Sequence, residues 1–200
     1  MQIAAWLGIF LVVLAWSGWK PHDYPTWWLE VSPALIALLV LAYTRRRFPL
    51  TTLAYWLILA HAVILMVGGH YTYARVPAGF WLLEWTGGIR NDYDKLGHLA
   101  QGFVPAIVVR EILRRHRVIA RRAWLAPIVV SICLAISALY ELIEWWVALL
   151  SEEAAESFLG TQGYVWDTQS DMFWALSGAI LALALLGRVH DRQIRAVESR

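Results

Sequence analysis

Six long apolar blocks set the terms on which this chain can fold. They cover residues 2–19, 29–43, 50–69, 92–113, 123–150 and 167–186. Most come close to the roughly 20 residues that carry an α-helix across a bilayer. Backbone in hydrocarbon finds no water, so each block must close its hydrogen bonds within itself. The expectation is an all-α, polytopic membrane protein, a six-transmembrane-helix bundle forming a single integral membrane domain over residues 1–200. Composition agrees: 16% of the residues are charged, against about 25% in soluble domains. The block at 29–43 is the shortest. The block at 123–150 would extend about 42 Å at 1.5 Å per residue, so it must tilt or project from the membrane.

The connections carry their own signals. No Lys or Arg precedes Lys20, and Trp16-Ser17-Gly18-Trp19 is bulky. The first block therefore reads as a retained span rather than a cleaved signal. Pro21 and Pro25 interrupt the chain before the second block, and Trp27 and Trp28 fall where interfacial aromatics belong. Pro33 sits near the start of that block, where a missing N–H costs little. In the loop over 72–91, Phe80 to Trp85 reads as a short helix lying in the interface. Arg110 and Glu111 lie near the inner end of the fourth block, where long side chains snorkel to water.

Orientation follows from the arginines. Residues 45–47, 114–122 and 188–200 hold twelve of the seventeen Lys and Arg residues. Six spans place all three segments on one side, which the positive-inside rule makes cytoplasmic. Both termini are then cytoplasmic, and the loops starting at Lys20, Thr72 and Ser151 face outward. No basic patch interleaves with aromatics in a soluble segment, so no nucleic acid is expected as a partner. The lone Cys133 has no disulfide partner and reads as a small buried hydrophobe.

Against this apolar background the polar residues stand out. Asp94, His98 and Gln101 follow at i, i+4 and i+7, on one helical face. Glu141 and Glu144 share a face with Ser137. Asp167 and Asp171 open the sixth block, and Asp171 heads a stripe of small residues, Ala175, Gly178 and Ala182, that suits close helix packing. The topology brings all three pieces to one depth near the outer surface. Carboxylates at that depth face a bundle interior or water and find partners. Three uses are open. Asp94, His98, Glu141, Glu144, Asp167 and Asp171 offer the N and O ligands of a divalent metal such as zinc, manganese or iron, and all but Asp167 are also candidate catalytic groups. The same residues suit a helix-tying polar network, or a proton relay between a carboxylate and His98. His61, near mid-membrane, reads as a packing residue or a ligand, and His70 as a peripheral member of the site. Tyr140 reads as packing or as a donor to a carboxylate. The chain holds no Walker loop, GxGxxG, HExxH or nucleophile elbow.

The residues 91–98 and 101–103, the stretch from Glu141 to Trp145, and the run from Gly160 to Met172 resemble the YjdF-like family of uncharacterised bacterial inner-membrane proteins. The order of Asp94-Lys95 and His98, an acidic helix, then Asp167 and Asp171 followed by Gly178 is also similar to the VanZ-like membrane proteins, a family linked to resistance to a lipoglycopeptide antibiotic. The resemblance implies a multi-pass address in the inner membrane and no particular reaction. The functional expectation is an integral membrane protein with an outward-facing acidic and histidine site. That site would serve a metal-dependent hydrolase or transferase, or a binder, with membrane lipids as surroundings and a lipid-linked or polyprenyl-linked substrate. Proton-coupled transport and a purely structural role are the alternatives. The segments from Trp81 to Trp85 and from Ser151 to Trp166 are expected to cover the site, with Glu152, Glu153 and Glu156 solvating the second.

Overall fold

Local chemistry sets two of the helix starts more sharply than the apolar blocks do. The computed structural model of the protein describes residues 3–86, 90–150 and 162–199. Its elements are helix α1 (Ile3–Gly18), α2 (Tyr24–Thr44), α3 (Thr52–Tyr71), α4 (Pro77–Thr86), α5 (Tyr93–Arg115), α6 (Leu125–Leu150) and α7 (Asp167–Glu198), with short 3-10 turns at Tyr73–Arg75 and Arg122–Trp124. Asp23 caps α2 by accepting the Thr26 N–H at 2.8 Å. Pro25 falls in the first turn, where it loses no helical bond. The second helix therefore begins five residues before the expected 29. Trp27 enters the core instead of the interface, with its indole N–H 3.2 Å from Ser17 Oγ. Thr51 caps α3 through the Ala54 N–H. The short helix expected at Phe80 to Trp85 extends over Pro77–Thr86, with Trp81 exposed.

Among the described residues, five helices, α2, α3, α5, α6 with its leading turn, and α7, are long and apolar enough to cross a membrane. α1 is apolar but has 16 residues, about 24 Å of helix against a core of about 30 Å. α7 continues through the basic stretch where a tail was expected after 186, because no proline stops it and its far end is tied down. His190 and Ile194 are buried there, and Gln193 Oε1 accepts the Leu53 N–H at 2.9 Å.

The densest packing joins α5 to α7. Gly102 faces the backbone carbonyl of Ala175, and Gly178 faces the backbone of Leu99 and Phe103. Neither position has room for a Cβ. Ala175, Ala179 and Ala182 line the same seam without exposure, so the small-residue stripe is the packed face of α7. α2 packs along α3, and α6 lies on both α5 and α7. On α6, Val129, Cys133, Ser137, Glu141 and Glu144 are buried, while Leu139, Trp145, Trp146 and Leu149 face outward.

The end of the bundle near Arg115 is closed by a buried charge network that corrects the snorkelling expectation for Arg110 and Glu111. Glu111 is fully buried. Its carboxylate accepts from the Thr51 N–H at 2.9 Å, the Thr51 hydroxyl at 2.7 Å, His190 Nε2 at 3.0 Å and Arg115 Nη1 at 2.9 Å. Arg110 Nη1 lies 3.1 Å from His190 Nδ1, and both Arg110 and Arg114 pair with Asp191. Two helices, α5 and α7, and the start of α3 are joined by one carboxylate. Glu111→Gln keeps the shape and removes the charge. Unfolding in detergent followed by thermal aggregation should show a loss of about 1.5–3 kcal/mol, the range for hydrogen bonds to a charged group.

Candidate functional site

Near the opposite end of α5, helical spacing puts Asp94, His98 and Gln101 on the face that meets α6 and α7. Gly102 sits one residue beyond and lets α7 approach closely enough for Asp171 to join them. His98 is almost wholly buried, at 4% exposure. Its Nδ1 lies 3.1 Å from Gln101 Oε1, a contact that the tautomer with the hydrogen on Nδ1 satisfies. That tautomer leaves the Nε2 lone pair facing Asp94 Oδ1 at 3.4 Å and Asp171 Oδ2 at 3.9 Å. Three acceptor atoms converging without a cation would repel, so a proton or a metal ion belongs between them. Asp94, His98 and Asp171 each offer one ligand atom, and these atoms lie within 4.8 Å of one another.

Glu141 approaches from α6, with Oε1 3.8 Å from His98 Nδ1. Glu141 Oε1 and Asp171 Oδ1 are buried with no hydrogen-bond partner among the described residues. Glu144 is also buried and lines the wall of the adjoining cavity. That cavity measures about 210 Å³ and also includes Glu30, His61, Tyr73, Asp94 and Tyr140 in its lining. The Tyr140 hydroxyl donates to Glu30 Oε2 at 3.0 Å. Burial around the Tyr73 phenol, reinforced by the field of Glu30, holds its pKa well above the ordinary value. Tyr73 therefore stays a neutral hydroxyl.

Asp167 lies one turn before Asp171 but takes a different part. It pairs with Arg90, whose guanidinium also lies 3.5 Å from Asp92 and 3.8 Å from Asp94. Burial works against the charge of Arg90, yet the bond and field of Asp167, with Asp94 behind it, hold its pKa above the ordinary value. Its guanidinium stands 5.4 Å from the centre of the Tyr164 ring. Lys95 turns aside to Asp92 at 2.7 Å. Asn91 fixes the start of α5. Its backbone exchanges two hydrogen bonds with the Gln162 amide, at 3.0 and 2.9 Å, and its own amide donates to Val76 O at 2.9 Å.

His70 stays outside the chamber. Its Nδ1 lies 2.9 Å from Ser17 O, and its ring packs on Trp16. His61 lines the chamber and has a buried Nε2 with no hydrogen-bond partner among the described residues. The expected cover from Ser151 to Trp166 lies outside the described residues up to 161, as do Glu152, Glu153 and Glu156.

Sequence reasoning missed Glu30, Tyr73 and Arg90. Two signals were available. Glu30 is a carboxylate at the head of an apolar block, where a charge calls for a partner. Arg90 is a basic residue in a segment the positive-inside rule assigns to the opposite side. Tyr73 gave no comparable signal, because a tyrosine in a loop is ordinary.

A family described as "Predicted membrane protein (DUF2238)" matches residues 3–192. The inner membrane protein YjdF of Escherichia coli (strain K12) is 55% identical over 184 residues, which cover 92% of this chain and 88% of that protein. No solved structure matches. The matches bear on the YjdF-like resemblance and not on the VanZ-like one.

Proposed function

Because the chain belongs to the DUF2238 family of predicted membrane proteins, we propose that it is a multi-pass inner-membrane protein whose Asp94–His98–Asp171 cluster is a divalent-metal centre serving chemistry on an envelope lipid. The name of the Escherichia coli relative supports the address. The clustering of arginines supports six spans with both termini cytoplasmic, α1 being the shortest. On that topology the cluster opens toward the outer leaflet.

The observation that carries the metal reading is the convergence of His98 Nε2 with two carboxylates. Mixed N and O donors suit zinc, manganese or iron. Glu141, with a buried oxygen that has no hydrogen-bond partner among the described residues, would serve as a fourth donor or as the base beside it. Glu144 faces the adjoining chamber. Asp167, held by Arg90, positions the start of α7 and stays out of the ligand set. A metal in this position would polarise a phosphate oxygen or activate water. The chain's part is to hold His98 in one tautomer through Gln101 and to supply a carboxylate for proton transfer.

The test is elemental analysis of the purified protein, wild type beside His98→Ala. The expected result is about one bound divalent metal per chain, lost in His98→Ala while helicity and melting are retained. A folded wild-type protein that binds no metal on addition would sink this reading and leave the carboxylates as a polar network tying helices together.

A further inference from the structure

An apolar groove of about 540 Å³ adjoins the polar chamber. The two share lining residues: Pro33, His61, Leu65, Pro105 and Ile136 border both. The groove runs between α2 and α3 on one side and α5 and α6 on the other, from Pro33 to Thr44 along α2. That stretch measures about 16 Å at 1.5 Å per residue, close to half of a hydrocarbon core of about 30 Å. It is about the length of a chain in one leaflet, and on the topology proposed above Thr44, Phe48 and His116 at its far end place it in the cytoplasmic half, so a lipid held here sits deeper than its outer-leaflet neighbours. Its direction is also that of a lipid: the polar chamber lies toward the Tyr93 end of α5, and the groove leads toward the Arg115 end. Val40 on its rim is half exposed, so the groove opens to the surrounding bilayer.

We infer that chamber and groove form one slot for a phosphate-bearing membrane lipid, with a single hydrocarbon chain in the groove and the phosphate in the chamber. The phosphate half rests on the metal reading above, since a chamber lined by Glu30, Asp94 and Glu144 repels an anion unless a cation stands in it. The chamber, at about 210 Å³, is smaller than the roughly 300–1,000 Å³ of pockets that enclose a whole small ligand. It admits a compact headgroup rather than a large glycan. His61 sits at the junction of the two spaces, and its Nε2, without a hydrogen-bond partner among the described residues, meets the polar atoms where headgroup joins chain.

The experiment uses phosphatidic acid with a diazirine in its acyl chain, photolysed with the reconstituted full-length protein and mapped by peptide mass spectrometry. Label is expected on peptides of α2 and α5 that line the groove, and it should be displaced by unlabelled phosphatidic acid at least tenfold better than by diacylglycerol. Val40→Trp, on the open rim, and Val108→Phe, within the groove, should each reduce labelling tenfold or more while bound metal stays at the wild-type level. Label spread evenly over all lipid-facing helices, or unchanged in both variants, overturns the slot. Equal displacement by diacylglycerol in metal-loaded protein overturns the headgroup assignment. The two readings fail separately. Metal-free protein that still labels in the groove and prefers phosphate would end the metal reading and keep the slot. Metal-loaded protein without groove labelling would do the reverse.

Discussion

Arg90→Met should lower the stability of the protein by about 3–5 kcal/mol, the cost of removing one partner from a buried charge pair. Arg90 is 8% exposed and faces Asp92, Asp94 and Asp167 together. Methionine approximates the length of the stem but supplies no cation. Asp167 would then be left buried beside Asp171 with their common counter-charge removed. The melting midpoint in detergent should fall on the order of 10 °C. Arg90→Lys separates charge from geometry. A lysine is a point charge without the planar fork, so it should recover part of the loss and not all of it. Full recovery would show that the field of the cation alone matters, and no loss in Arg90→Met would show that the pair is held elsewhere.

Gly102→Val should also be damaging and, on the metal reading proposed above, should lower bound metal. The atom a side chain would meet at position 102 is the backbone carbonyl of Ala175, which cannot step aside as a flexible side chain would. Overpacking of this kind costs about 1–3 kcal/mol where side chains yield, and the upper end or more is expected here. Helices α5 and α7 must separate, and Asp171 rides on α7 at a distance of 3.9 Å from His98. Bound metal should therefore drop together with the melting midpoint. Gly8 gives the control, since nothing lies within 4 Å of a Cβ there; Gly8→Ala should change neither. A Gly102→Val protein with wild-type melting and wild-type metal would mean that the seam is softer than its contacts imply.

Much of this architecture was legible because two periodicities dominate the chain. Apolar runs near the span of a bilayer located the helices, and i, i+4, i+7 spacing put Asp94, His98 and Gln101 on one face. The stripe from Asp171 to Ala182 announced which side of α7 is packed. Helix boundaries were harder. Asp23 as a cap and Pro25 in the first turn extend α2 backward, while the ties at His190 and Gln193 carry α7 past the end of its apolar block. The cap at Asp23 is local, but the ties at His190 and Gln193 depend on partners distant in sequence. The same holds for Glu30 meeting Tyr140 across 110 positions, and for Glu111 meeting Thr51 across 60. A carboxylate in an apolar run signals that a partner exists, but only packing tells which.

The seam between α5 and α7 is fastened at three levels. Arg90 and Asp167 join one end, the glycines meet in the middle, and Glu111 with His190 and Arg110 with Asp191 join the other. A pair of rods bolted this way can neither slide nor part like scissors. Whatever enters the space beside His98 must therefore be admitted by the lighter wall, where α2 leans across from α3 and the Tyr140 hydroxyl acts as a latch on Glu30. The bolted half holds Asp94, His98 and Asp171 in register.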